Sequence, residues 1–278
     1  MTITTIDTMS DLHLEFADLV LPGGDVLILS GDIWTVWHMA KPSLVPAVYE
    51  RFVRFCKEEL SKYRRVFMVL GNHEHYGLFL HESRIWLPKF LLEHAPHATL
   101  LDNDTVVFDG VAFVGSTLWT SCGNDRDALI IRNRMNDYLM IHVLDDQGRS
   151  LHLGIDDVRA MHTRSRKYIY AATKKHQDTP CVLITHHAPC LLSGRNDRRF
   201  GGELDAAYYS NLLHGLLAKR QNVMLCCHGH THVPARYRLG SAEVISNPRG
   251  YSGREQCADE FTADAGKPSV DFWRGEHE

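Results

Sequence analysis

The sequence lacks several features that would place it in a membrane or secreted class. It has no run of about 18 uninterrupted apolar residues, which is the length that a membrane-spanning helix needs. Its N-terminus has no basic segment followed by an apolar run, so no signal peptide is predicted. The seven cysteines include no CxxC pair, and their odd number argues against a disulfide framework. We therefore expect a cytoplasmic protein with no membrane partner.

An excess of basic charge is also missing. The chain has 30 Lys and Arg against 34 Asp and Glu, which gives a formal net charge of −4. Duplex nucleic acid is therefore possible but not favoured as a partner, because no overall basic footprint is present. The 278 residues are 44% hydrophobic and contain no repeat or low-complexity tract, so we expect one domain over residues 1–278, with a polar segment from about residue 251.

Short apolar stretches alternate with helical patterns along the chain. Continuous β-rich runs predict buried strands, and apolar residues at helical spacing predict helices over residues 43–64, 154–175 and 202–220. Turn signals at Asp109-Gly110 and Gly240-Ser241 predict two hairpins. This order indicates a layered α/β or α+β fold rather than an all-β fold.

Histidine is abundant, with 18 residues, and many of the histidines follow apolar strands. Five times a predicted strand ends and a polar side chain follows at once: Asp11 and His13, Asp32, Asn72 and His73, His186 and His187, and His230 and His232. Each of these alone is more often a turn residue, a helix cap or a satisfied polar group. Five such coincidences favour one site, because ligands of a parallel sheet bind at the carboxyl ends of its strands.

These side chains offer imidazole and oxygen donors without a thiolate. Such a set suits Mn, Fe, Zn or Ni and is too rich in nitrogen for a calcium site. There are too many donors for one tetrahedral ion, and a carboxylate can bridge two cations. Two cations roughly 3.5–4 Å apart suit displacement at phosphorus. We expect two divalent ions, with Mn as the first choice and Fe, Zn, Ni or Mg as alternatives.

The ordered series "DLH", "GD", "GNHE", "THH" and "GHTH" resembles the calcineurin-like metallophosphoesterase superfamily, and it spans residues 11–232. The segments "SDLHLEF", "LGNHEHYG", "MNDY" and "NPRGY" look like its small single-domain bacterial or phage-type members. The resemblance implies an αββα sandwich of two mixed β-sheets, packed face to face between helices, with a dinuclear site at one edge. Seven positions match its metal ligands: Asp11, His13 and His232 for one ion, Asn72, His186 and His230 for the other, and Asp32 between them.

The resemblance also implies a mechanism, in which a hydroxide that bridges the two metals attacks phosphorus in line. His73 would face the substrate without binding metal, and would stabilise the transition state or protonate the leaving group. Six weaker candidates for support or substrate contact are Glu74, His187, Arg195, Arg198, Arg199 and Arg249. Glu74 would orient His73 or merely start a helix. The arginine-rich segment 193–202 is a mobile lid or a plain surface loop.

The function that the resemblance implies is hydrolysis of a small phosphomonoester or phosphodiester by a dinuclear metal centre. Two enzymatic alternatives are a single-strand nuclease that uses Arg195–Arg199 and a cyclic-nucleotide phosphodiesterase. A third alternative is a non-catalytic binding module that metals merely stabilise. The sequence leaves the substrate, the preference for monoester or diester and the oligomeric state open. In "CCHGHTHVP", residues 226–234, it favours packing or support of the site for His228.

Overall fold

The computed structural model describes residues 3–194, 201–210 and 213–269. In it the apolar stretches form strands, and the helical patterns form helices on both sides of them. The strands are β1 (Ile6–Met9), β2 (Gly24–Leu29), β3 (Tyr63–Met68), β4 (Ala98–Leu100), β5 (Asp104–Phe108), β6 (Val111–Ser116), β7 (His142–Leu144), β8 (Ser150–His152), β9 (Cys181–Thr185), β10 (Val223–His228), β11 (Ala235–Leu239) and β12 (Ala242–Ser246). The helices are α1 (Trp37–Ala40), α2 (Pro46–Arg54), α3 (Ser83–His94), α4 (Asp125–Arg134), α5 (Asp137–Met140), α6 (Ile155–Lys175), α7 (Asp205–Tyr208), α8 (His214–Lys219) and α9 (Gln256–Glu260).

Most strands belong to two sheets. One has the order β1-β2-β3-β4 and is parallel throughout. The other has the order β11-β12-β10-β9-β6-β5, in which the four central strands are parallel and the two edge strands are antiparallel. Both predicted hairpins, β5–β6 and β11–β12, are at these edges. Among the described strands, only the second sheet is mixed; the resemblance implied two mixed sheets.

Successive residues of a strand face opposite sides of its sheet, so the buried apolar side chains form three layers. Val26 and Ile28 of β2 belong to the cluster between the two sheets, where Phe67 of β3 stacks on Phe113 of β6 with ring centroids 4.1 Å apart. Leu27, from the opposite face of β2, packs in the cluster formed with α2 and α3. The outer face of the second sheet packs on α6 and α8. Because each sheet is covered on both faces, its strands are continuously apolar, and the αββα sandwich is confirmed.

Two predicted helices are interrupted. The 43–64 pattern contains α2, then a wider turn over Phe55–Glu59 and a tight turn over Leu60–Lys62. The 202–220 pattern contains α7, which ends at the extended residue Tyr209, and the separate helix α8. There the Ala188 N–H donates to the Tyr208 carbonyl, and the Ser210 N–H donates to the Ala188 carbonyl. These bonds to the loop after β9 replace the bonds that would continue the helix. The pattern at 154–175 does form one helix, α6.

Residues 251–269 contact the sandwich, although the composition from residue 251 onwards suggested a polar tail. The Arg236 guanidinium donates to the carbonyls of Ala265 and Lys267 at 2.7 Å each. Phe261 is partly buried against the cluster that covers the first sheet. The backbone of the described part of this segment is therefore held in place by contacts with the sandwich. Within the described ranges, no helix combines the length and the apolar character that crossing a bilayer requires.

Candidate metal centre

The polar loops that follow β1, β2, β3, β9 and β10 converge at one edge of the sandwich. His13 after β1 and His232 after β10 place their Nε2 atoms 3.3 Å apart. Asn72 after β3 and His186 after β9 place Oδ1 and Nε2 3.0 Å apart. The convergence expected from the positions of these residues at strand ends is therefore present. It joins loops of both sheets.

One group of potential ligand atoms comes from Asp11, His13 and His232. These atoms all lie within 4.8 Å of one another, and His232 Nε2 is 3.4 Å from Asp11 Oδ1. All three side chains are almost fully buried. The group contains the same three residues that the family resemblance assigned to the first ion.

A second group comes from Asp32, His186 and His230, whose ligand atoms also lie within 4.8 Å of one another. His186 Nε2 is 3.4 Å from Asp32 Oδ1, and Asn72 Oδ1 approaches the same nitrogen. With Asn72, these are the residues assigned to the second ion and the bridging position.

The nitrogen and oxygen atoms of these residues would be better satisfied by a divalent cation than they are by hydrogen bonds among themselves. The His186 Nδ1–H donates to the Ser30 carbonyl at 2.8 Å, so Nε2 is the nitrogen that faces the Asn72 oxygen and would be free to bind a cation once its proton is lost. His230 Nε2 is buried and has no hydrogen-bond partner among the described residues. A cation between such atoms would satisfy them all, since imidazole nitrogen and carboxylate or amide oxygen are its usual ligands.

Charge in the site is balanced by protons when no cation is bound. Burial by itself lowers the pKa of His232, but the carboxylates of Asp11 and Glu255 raise it to about 10. Burial likewise opposes the charge on His186, whose pKa Asp32 raises to about 9. Burial raises the pKa of Asp32 itself, yet the facing imidazoles hold it well below its usual range. Cations that bind here must displace those protons.

The backbone of these loops is strained where they carry the ligands. Left-handed φ values occur at five of the seven proposed positions: Asp11 at 50°, His13 at 44°, Asp32 at 54°, His230 at 68° and His232 at 51°. That conformation costs about 1–2 kcal/mol for each non-glycine residue, and such costs concentrate at functional sites. At Gly229 a Cβ atom would lie 2.6 Å from Asp11 Oδ2, so glycine gives the carboxylate room beside the histidine loop.

A cavity of about 260 Å³ opens above the two groups. Asp32, His230, His232 and His73 are among the residues that line it. The His73 ring stacks on Tyr76 with centroids 4.2 Å apart, and its Nε2 lies 3.1 Å from the Tyr251 hydroxyl. Burial lowers the pKa of His73 to about 4, so its imidazole is neutral in the unliganded protein.

A family profile described as calcineurin-like phosphoesterase matches residues 5–234 of the chain. The chain belongs to this family. It is 26% identical over 264 residues to the uncharacterized protein L509 of Acanthamoeba polyphaga mimivirus, an alignment that covers 88% of this chain and 90% of the relative.

Solved structures share the fold of this calcineurin-like phosphoesterase. The phosphopantetheinyl hydrolase PptH of Mycobacterium tuberculosis superimposes with a TM-score of 0.59 at 17% identity and covers 89% of each chain. The protein TT1561 of Thermus thermophilus superimposes with a TM-score of 0.51 at 12% identity, over 89% of this chain and 90% of the other. At these identities the likeness supports the fold alone.

The phosphoesterase site has supporting residues that the sequence reasoning missed. The His232 Nδ1–H donates to Glu255 at 2.5 Å, so a carboxylate fixes the ring with Nε2 towards Asp11. Asp137 accepts hydrogen bonds from the Asn72 amide at 2.8 Å and from the Tyr76 hydroxyl at 2.6 Å. That contact turns the Asn72 oxygen towards His186. Glu255 lies well past the end of β12 and Asp137 follows α4, so neither comes directly after a strand and the strand-end pattern gives no signal for them.

Glu74 is fully buried, but its carboxylate contacts backbone groups rather than the His73 ring. It accepts the N–H groups of Asp32, Ile33 and Gly71 at 2.9, 2.8 and 2.6 Å. Burial and the nearby Asp32 raise the pKa of Glu74 to about 8. Glu74 therefore joins the loop after β2 to the loop after β3, and it positions Asp32 rather than His73.

Among the other candidates, the Arg249 guanidinium donates to the carbonyls of Ala17 and Asp18 at 3.3 and 2.9 Å. These bonds connect the loop after β12 with the loop after β1, so a substrate contact by Arg249 is not supported. His187 faces the Thr117 carbonyl, and His228 faces Ser193 Oγ at 2.8 Å. Both histidines lie outside the two ligand groups, in agreement with supporting roles. Arg195, Arg198 and Arg199 lie outside the described residues.

Proposed function

We propose that this phosphoesterase binds two divalent cations and hydrolyses a phosphomonoester or phosphodiester of modest size. The observation that carries the proposal is the pair of adjacent ligand groups, Asp11–His13–His232 and Asp32–His186–His230, below one open cavity. The cavity of about 260 Å³ suits a small substrate or one end of a larger one. Manganese is the cation we expect to support turnover best.

Two cations bound there would supply an activated water and positive charge for the phosphoryl oxygens. The protein contributes the arrangement of the ligands. Asp32 lies in the second group, and in the cation-free site its charge also acts on the neighbouring Asp11. This placement suits a carboxylate that serves both ions. Glu255 and the Ser30 carbonyl fix the tautomers of His232 and His186, so each presents Nε2 to an ion.

His73 is the side chain best placed to act on the substrate directly. It is in the cavity wall, and its Nε2 is 3.9 Å from Asp32 Oδ2, outside direct hydrogen-bonding distance. We propose that its ring N–H donates to a phosphoryl or leaving-group oxygen. The stack on Tyr76 and the contact with the Tyr251 hydroxyl keep the ring in this orientation. His73, His13 and Glu15 form a third group of potential ligand atoms. The metal content of a His73 variant therefore tells whether His73 binds an ion.

The nuclease alternative depends on Arg195, Arg198 and Arg199, outside the described residues, so no structural observation favours it. A cyclic-nucleotide diester would be one member of the proposed substrate class. For the location, we propose the cytoplasm, because none of the seven cysteines is in a disulfide and reduced thiols are typical of that compartment.

The test is turnover of p-nitrophenyl phosphate and bis-p-nitrophenyl phosphate by the full chain, with Mn, Mg, Zn, Ni or Fe. We expect metal-dependent hydrolysis of at least one ester, and loss of that activity in Asp32→Ala and in Asn72→Ala. Asp178→Ala is the matched control, because this carboxylate is exposed and precedes β9, at the opposite end of that strand from His186. A metal-loaded wild-type protein without turnover of any ester would favour the binding-module alternative. Full turnover in Asp32→Ala would contradict the assigned site.

A further inference from the structure

One wall of the cavity is a turn outside the five ordered motifs that supply the proposed metal ligands, although its Met135 and Asn136 belong to the "MNDY" segment. It joins α4 to α5 and contributes Arg134, Met135 and Asn136 to the cavity lining. Of the described residues that line the cavity, Arg134 is the one lysine or arginine. Its side chain is exposed. A positive group thus shares the cavity with the side chains proposed to bind the cations.

The Arg134 guanidinium makes no hydrogen bond or ion pair with any residue in the described part of the chain. Two arginines near the same helix behave differently: Arg126 pairs with Glu203 at 3.1 Å, and Arg159 pairs with Asp125 at 3.3 Å. Arg134 therefore retains its full set of five N–H donors for a ligand. A guanidinium is suited to an oxyanion, because two of its parallel donors match two oxygens of a carboxylate or phosphate.

The backbone that carries Arg134 is tied to the metal centre. Arg134 ends α4, whose Ile131 is buried, and Asp137 begins α5 three residues later. Asp137 accepts the Asn72 amide hydrogen bond, so the turn is fixed to a proposed ligand of the second ion. A turn held in this way keeps its cation within reach of the cavity. An arginine on a plain surface loop has no such anchor.

Negative groups elsewhere in the lining already have partners. Asp32 belongs to the second ligand group, and Glu255 accepts from His232 and from the Tyr251 N–H at 2.9 Å. These carboxylates disfavour a second anion at their side of the cavity. The lining also includes the rings of Tyr76 and Tyr208, which suit the uncharged part of a substrate.

We propose that Arg134 binds a second oxyanion of the substrate, a carboxylate or a phosphate, while the scissile phosphate occupies the metal centre. Arg134 then selects small phosphoesters whose leaving group carries its own negative charge. The proposal rests on the proposed function for the identity of the first subsite. It assigns a specificity-determining residue, because Arg134 would bind the part of the substrate that is not hydrolysed.

The test uses phosphonates, which bind without being hydrolysed. Phosphonoacetate, 3-phosphonopropionate and 4-phosphonobutyrate are each compared with the alkylphosphonate of the same chain length by calorimetry on the manganese-loaded full chain. In the wild type, we expect at least one carboxylated ligand to bind about tenfold more tightly than its uncharged match, as for a charge-assisted hydrogen-bond pair. Arg134→Gln should remove that difference, and Arg134→Lys should keep part of it.

Arg132→Gln is the matched control, because Arg132 is exposed on the same helix but does not line the cavity; the tenfold difference should remain. Equal binding of the two ligand types by the wild type, or an undiminished difference in Arg134→Gln, would overturn the proposal. The result does not require turnover. If Arg134→Gln abolishes the difference in a protein that hydrolyses no ester, the subsite is supported and the proposed function is not.

Discussion

The floor and the rim of the cavity are built in different ways. We call the seven proposed ligands the floor; they are buried and follow the carboxyl ends of parallel strands, and four of them, Asp32, Asn72, His230 and His232, line the cavity. The rim consists of Arg134–Asn136, Tyr208 and Glu255, which come from turns and short helices between the strands. Strands of a sandwich can change little without disturbing the core, whereas connections can change freely. We therefore expect the floor to carry the chemistry of the family and the rim to carry the substrate preference of this protein.

The largest difference in metal content and turnover should be between variants of two nearby histidines: His232, in the loop after β10, and His228, the last residue of β10. His232→Ala removes a proposed ligand of the first ion, so we expect that ion to be lost and turnover to fall to background. His228→Ala should keep both ions, because His228 instead faces Ser193, although loss of this buried hydrogen bond costs about 1–3 kcal/mol of stability. Metal content measured by elemental analysis checks both variants. A His232→Ala variant that holds both ions and keeps its activity would show that His232 is not a metal ligand.

The floor could be predicted from the sequence because strand ends carry a readable signal. An apolar run followed by Asp, Asn or His marks each of its five loops, and parallel strands bring such loops to the same edge. The two hairpins were predictable for a similar local reason, since Asp109-Gly110 and Gly240-Ser241 are turn residues. The family and the αββα sandwich, which the resemblance of the five ordered motifs implied, were also correctly predicted.

The rim could not be predicted, because its contacts join residues without a local pattern. Glu255 meets His232 from 23 residues away, and Asp137 meets Asn72 from 65 residues away. The interruption between α7 and α8 likewise depends on bonds to Ala188, which no helical periodicity reveals. Arg249 was a candidate for substrate contact, but its guanidinium donates to backbone carbonyls instead.

The second largest effect should come from His73, which lies between floor and rim. We expect His73→Ala to reduce kcat by about 10²–10⁴-fold, the usual contribution of a positioned proton-transfer or hydrogen-bonding group. Both ions should remain, because His73 is not among the seven proposed ligands. Steady-state kinetics and elemental analysis on the same sample separate the two properties. Loss of an ion from this variant would make His73 a ligand.

A smaller effect should come from Asp137, the residue that links rim to floor. Asp137→Ala frees the Asn72 amide, and we expect manganese affinity to fall about 10–100-fold, as for other groups that orient a metal ligand. Asp137→Asn retains an oxygen that accepts the same hydrogen bond and should recover most of the affinity. Calorimetric titration with Mn²⁺ measures this. Equal affinities in Asp137→Ala and the wild type would mean that Asn72 needs no such support.

The smallest effect on activity should come from Arg249. Arg249→Ala leaves the carbonyls of Ala17 and Asp18 without their donor, so we expect the free energy of unfolding to fall by about 1–3 kcal/mol. The KM should stay at the wild-type value, because Arg249 does not line the cavity. Urea unfolding and KM measured side by side test this. An increased KM without loss of stability would indicate that Arg249 contacts the substrate.

The central claim is that the floor holds two cations, one in each ligand group. The most direct measurement is anomalous diffraction from crystals of the full chain grown with Mn²⁺. The account predicts two anomalous peaks per chain, one among Asp11, His13 and His232 and one among Asp32, His186 and His230. A single peak, or peaks outside both groups, would contradict it.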